Sequence, residues 1–146
     1  MDNPWLIVGG VLSLVAAALH VAIIYKGPAW YRLFGAGERM ATLAEQGKLE
    51  PALITASIAL VLLLWALYAF SGAGLLPPFP LLDWALAGIT LIYLLRGVLP
   101  MLAAVFMPQL RTPFIWWSSL ICTVYGLCHA VGLFILLVQS GLPRYD

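Results

Sequence analysis

LLDWALAGITLIYLLRGVLPMLAAVFM, residues 81–107, decides the fold. Its formal charges are Asp83, near the start, and Arg96, well inside. At about 1.5 Å per residue the stretch is long enough to cross a hydrocarbon layer of roughly 30 Å. A guanidinium at such depth is costly and usually has a partner or a role. Pro100 lacks a backbone N–H and predicts a kink before the helix ends.

Working outward, residues 5–25, 52–70 and 114–138 are equally apolar and carry no formal charge. Backbone groups in lipid must be satisfied internally, so each run reads as a transmembrane helix. Composition agrees. Of 146 residues, 64% are hydrophobic and 9% charged, with a mean hydropathy of +1.03. Soluble domains carry roughly 25% charged residues, and a chain this short has no water-soluble core large enough to hide such a surface. The expected fold is an all-α integral membrane protein. It is a single membrane domain over 1–146, a four-transmembrane-helix bundle with an interfacial amphipathic segment between the first two helices.

That segment lies near 28–48. Trp30, Leu33, Phe34, Met40, Ala41 and Ala44 recur at helical spacing opposite Arg32, Arg39 and Glu45. This pattern suits a helix lying in the headgroup region, bent or broken at Gly35 and Gly37. The fragment Gly35-Ala36-Gly37-Glu38-Arg39 is no nucleotide loop: it follows no strand and lacks G-K-[ST].

Charges around the runs predict orientation. Lys26, Arg32, Arg39 and Lys48 follow the first run and Arg111 follows the third, whereas the ends contribute only Arg144. The positive-inside rule places both loops in the cytoplasm and both termini outside. The first run is too long for a cleaved leader, and Met1-Asp2-Asn3-Pro4 lacks a basic n-region. Small size and Ala/Leu richness suit a bacterial cytoplasmic membrane.

Polar residues form stripes. Ser118, Cys122, Tyr125, His129 and Gly132 share one helical face, as do Gly9, Ser13, Ala16 and His20. In the third run Asp83, Thr90 and Gly97 align, with Tyr93 and Arg96 beside them. Small and hydroxyl residues at this spacing let membrane helices approach closely. His20 and Arg96 each lie about 22 Å along their helices from the outer end. They are expected to line a shared polar pocket with Tyr93, capped by Glu38 or Glu50 from the loop; Trp116 and Trp117 would add aromatic walls. The alternative is a snorkelling arginine, its head at the interface.

His129 lies about 13 Å from the outer end, roughly 9 Å shallower than His20, with Tyr125 one turn away. That mismatch weighs against bis-histidine ligation of a b-type haem, which needs two imidazoles at matching height. No cofactor and no metal are expected; two histidines without a thiolate or carboxylate make a poor zinc site. Cys122 and Cys128 point in different directions and form no redox pair. Ser118 and Ser119 are about 15 Å along the helix from His129, out of reach of a base. H-E-x-x-H and G-x-S-x-G are absent, and a net charge of +1 gives nucleic acid no footprint.

The reading is therefore a non-enzymatic binding or accessory protein. It holds a lipid or quinone-like amphiphile in a polar pocket around Arg96, with His20, Tyr93, Glu38, Glu50, Trp116, Trp117, Tyr125 and His129 as candidate contacts. One alternative is a small transporter or lipid-modifying enzyme using His20. Another is a structural partner of other membrane helices, as a homo-oligomer or with a second membrane protein.

Overall fold

The structure, a computed structural model, describes residues 3–141. Arg144, counted above for orientation, and the Met1-Asp2 start lie outside the described residues. Among those described there is no strand. Four helices are long and apolar enough to cross a membrane: α1 (Pro4–Lys26), α4 (Glu50–Gly72), α5 (Leu82–Phe106) and α6 (Pro113–Gly141). Two short helices, α2 (Pro28–Leu33) and α3 (Glu38–Glu45), separate α1 from α4, and a single 3-10 turn at Pro108–Leu110 joins α5 to α6. The helices overrun several apolar runs because backbone hydrogen bonding continues past the last apolar residue. Glu50, at the start of α4, also suits the positive end of a helix dipole.

By internal packing the chain forms two compact units. One comprises the described parts of Met1–Leu12 and Trp65–Asp146, the other Ser13–Leu64.

The first unit is organised by glycines. A Cβ added to Gly97 would lie 2.6 Å from the backbone nitrogen of Thr123, and one on Gly126 would lie 3.0 Å from that of Leu94. α5 and α6 are thus antiparallel with their backbones nearly touching, as small residues permit in membrane helices. The start of α1 meets the end of α6 in the same way. A Cβ on Gly132 would lie 2.6 Å from Leu6 Cγ, and one on Gly9 would lie 2.8 Å from the His129 ring. Asn3, 1% exposed, fixes this contact. Its Oδ1 accepts the Leu6 N–H at 3.2 Å, and its Nδ2 donates to the Gly132 carbonyl at 2.7 Å. It is an N-cap followed by proline at N1, satisfying helix-terminal donors at a buried end.

The second unit contains the α2–α3 hairpin. Ile23, Tyr31 and Ala41 form its centre, with Leu19, Trp30, Phe34, Met40 and Ala44 packed around them. The sequence predicts a segment bent or broken at Gly35 and Gly37, and it is broken. There are two helices, because Gly35 (φ 69°) and Gly37 (φ 91°) adopt backbone conformations closed to most residues. The Ala36 N–H bonds to the Tyr31 carbonyl at 2.9 Å and Gly35 N–H to that of Arg32 at 3.2 Å, a Schellman stop for α2. The apolar residues of the two helices consequently pack on one another.

Candidate functional site

Arg96 sits two residues past the middle of α5, about 3 Å from its midpoint. The inward face of that helix is Leu86, Thr90, Tyr93, Gly97 and Ala104. One residue before Gly97, Arg96 is turned about 100° away from that contact line. It is exposed, and it makes no hydrogen bond or ion pair with a described residue. The Cys122 thiol of α6 is within electrostatic range.

Around it on the first unit is an aromatic cluster centred on Tyr93. The Tyr93 ring lies edge-on to Trp65 at 5.0 Å and to Tyr125 at 5.4 Å, and tilted against His129 at 5.2 Å. Tyr93, Tyr125, Cys122 and His129 therefore mark one flank of the α5–α6 pair, and Arg96 projects on that side. Trp116 and Trp117 do not join it. With Met101 and Leu120 they line a shallow apolar depression of about 240 Å³. Met101 is about 140° around α5 from Arg96, so this depression opens on the opposite flank.

His129 is fully buried. Its Nδ1 lies 2.8 Å from the Tyr125 carbonyl, which can only accept, so Nδ1 carries the proton and Nε2 the lone pair. Nε2 is buried with no hydrogen-bond partner among the described residues. An orphaned buried acceptor costs about 1–3 kcal/mol. Gly9 lies against the Cε1 side of the imidazole, so the ring packs on both a helix backbone and Tyr93.

The remaining candidates belong to the second unit. His20, half-buried, donates Nδ1–H to the Ala16 carbonyl at 2.7 Å, the same tautomer as His129. Glu38 accepts from Arg32 Nε and Nη2, the shortest contact being 2.6 Å, and Arg32 Nη1 also reaches Glu45 at 2.8 Å. These hydrogen bonds hold the Glu38 carboxyl below its usual range and raise the Arg32 guanidinium further. Glu50 pairs with Arg39 at 3.3 Å. Both carboxylates expected to cap Arg96 are thus engaged by loop arginines.

Chemically, the first unit offers an exposed cation and an aromatic flank. The nearby hydroxyls serve the backbone: Thr123 Oγ1 donates to the Ser119 carbonyl at 2.8 Å and Thr90 Oγ1 to that of Leu86 at 2.7 Å. Among the described residues no three His, Cys, Asp or Glu side chains gather as a metal site. Asn3 and Trp65 were missed by sequence reasoning. The Asn-Pro pair before an apolar run was a usable cap signal; nothing in the run around Trp65 marks it out.

The fold defines a class: an all-helical chain with four helices of membrane-spanning length and character. No family model, curated protein or solved structure matches the chain.

Proposed function

We propose that the chain is a multi-pass integral membrane protein that binds an anionic amphiphile, lipid or quinone-like, on the Arg96 flank and does not itself transform it. Arg96 meets the polar end, and Tyr93 and Tyr125 flank the body. The membrane part of this reading is supported by surface: no more than 28% of any of the four apolar windows is buried. Val15, Leu53, Leu60, Leu91, Leu99, Leu127 and Phe134 are among the large residues left exposed. Apolar surface on this scale requires lipid or apolar protein against it. The basic residues of the α1–α4 and α5–α6 connections favour loops in the cytoplasm and termini outside, in a bacterial-type inner membrane.

The binding part is carried by Arg96. A charge at mid-helix with no partner among the described residues points to a counter-charge supplied from outside. Native mass spectrometry from a mild detergent tests this. The wild type should retain an added mass, Arg96→Lys should weaken its retention, and Arg96→Ala should abolish it. An equal adduct on all three proteins refutes the role of Arg96.

A further inference from the structure

We infer that the group meeting Arg96 is a carboxylate, delivered from within the bilayer as a neutral carboxylic acid, and not a phosphate. The inference rests on the amphiphile-binding reading above and names its ligand class. Depth is the first reason. If α5 spans symmetrically, Arg96 lies about 12 Å inside the nearer edge of a roughly 30 Å hydrocarbon layer. An extended arginine covers roughly half that distance by snorkelling, so an ordinary phospholipid headgroup stays out of contact.

The second reason is that no acid among the described residues stands at mid-helix. Among the described residues, Asp83 and Glu50 stand in the first turns of α5 and α4, and Glu38 and Glu45 bracket α3. A second copy brings none of these to the middle of a spanning helix.

The third reason is the transit itself. Desolvation raises a carboxyl pKa, so a fatty-acid-like molecule sinks into the bilayer uncharged. A phosphate monoester holds about −1.5 to −2 charges at pH 7, and carrying that into hydrocarbon is prohibitive. At Arg96 the carboxylic O–H bond breaks and its electron pair stays on the carboxylate. The proton returns to the aqueous phase, and two N–H···O bonds form to the guanidinium fork, whose geometry matches a carboxylate.

The test uses the full chain in phosphatidylcholine nanodiscs, with radiolabelled hexadecanoic acid and hexadecyl phosphate as probes, on wild type, Arg96→Lys and Arg96→Gln. Hexadecanoic acid should bind wild type at least about tenfold tighter than Arg96→Gln, with Arg96→Lys between them. Hexadecyl phosphate should show no dependence on residue 96. At a pH low enough that the bilayer-resident hexadecanoic acid is neutral before it binds, a pH indicator should register one proton released per acid bound to wild type, a readout that does not need the variants to fold. If hexadecyl phosphate binds as tightly as the acid and with the same Arg96 dependence, the amphiphile reading stands and the carboxylic-acid class is overturned. Binding of neither probe to wild type, or Arg96-independent binding of both, overturns the two together. Co-purification of a membrane protein in place of either probe does the same.

Discussion

The α2–α3 hairpin and the α5–α6 pair hold themselves together by opposite means. In the hairpin, Arg32 grips Glu38 and Glu45 and Arg39 reaches Glu50, all exposed. In the helix pair, glycine lets backbones touch, and the lone arginine, Arg96, is left without a described partner. Charges are thus paired where water already screens them and pairing adds little stability. The charge without a described partner sits near the middle of an apolar helix long enough to span a membrane. The contrast teaches that ion pairs in this protein shape a loop, whereas shape alone joins the long helices.

The comparison breaks most easily at Gly97. Gly97→Leu drives a side chain into the Thr123 backbone, which cannot move aside as a flexible side chain would. A loss of about 3 kcal/mol is expected, towards the upper end of overpacking costs, read as thermal unfolding of the detergent-solubilised protein. An unchanged midpoint would mean the helices are not held by close approach.

Asn3→Ala should come next, at about 1–2 kcal/mol, because it removes both an N-cap and a buried bond to Gly132. Asn3→Asp keeps the acceptor and loses the donor, so its melting midpoint should fall between wild type and alanine. A midpoint for Asn3→Asp equal to that of wild type would show that the Gly132 bond contributes nothing.

His129→Phe sharpens the packing side of the contrast. It removes the orphaned Nε2 acceptor and the Tyr125 bond together while keeping a ring against Gly9 and Tyr93. The two effects oppose, and a net change within about 1 kcal/mol is expected in the same unfolding assay. A loss several times larger would assign the imidazole a polar partner beyond those described.

The smallest effect is predicted for Arg32→Met, which should leave the melting midpoint unmoved within error. Its pH counterpart has a definite sign. The Glu38 carboxyl is held below its ordinary value of 4.5, so the pair is fully formed above that value and is lost as pH falls through the depressed one. An NMR titration of Glu38 should show the depression in wild type and its disappearance in Arg32→Met; high salt should shrink it. A Glu38 pKa identical in both proteins would remove the ion pair from the account of the hairpin.

How much of this was legible differs by element. The four long helices were readable from their apolar runs, and Gly35 and Gly37 were readable as a break. That the break makes two helices packed on each other, with Trp30 and Met40 in a common cluster, depends on side chains meeting across the turn. Around Arg96, the neighbourhood of Tyr93 was foreseeable from helical spacing, whereas that of Tyr125, on another helix, was not. Exclusion of Trp116 and Trp117 from that flank was not, because the rotation of α6 against α5 is set by where Gly97 and Gly126 admit the opposing backbone. His129 was legible as a polar residue on a small-residue face; its packing on both Gly9 and Tyr93 was not.

The sequence by itself determined the number of long helices, their apolar character and the depth of Arg96 along its own helix. Those properties add up residue by residue along the chain, and a rise of about 1.5 Å per residue converts position to depth. Only the tertiary structure decided which faces are inside. When lipid is as apolar as a protein interior, a helix that is hydrophobic all round carries no period to distinguish its faces. The choice then falls to pairings between residues far apart in the chain, such as Asn3 with Gly132, Gly9 with His129 and Gly97 with Thr123, and no local pattern announces them.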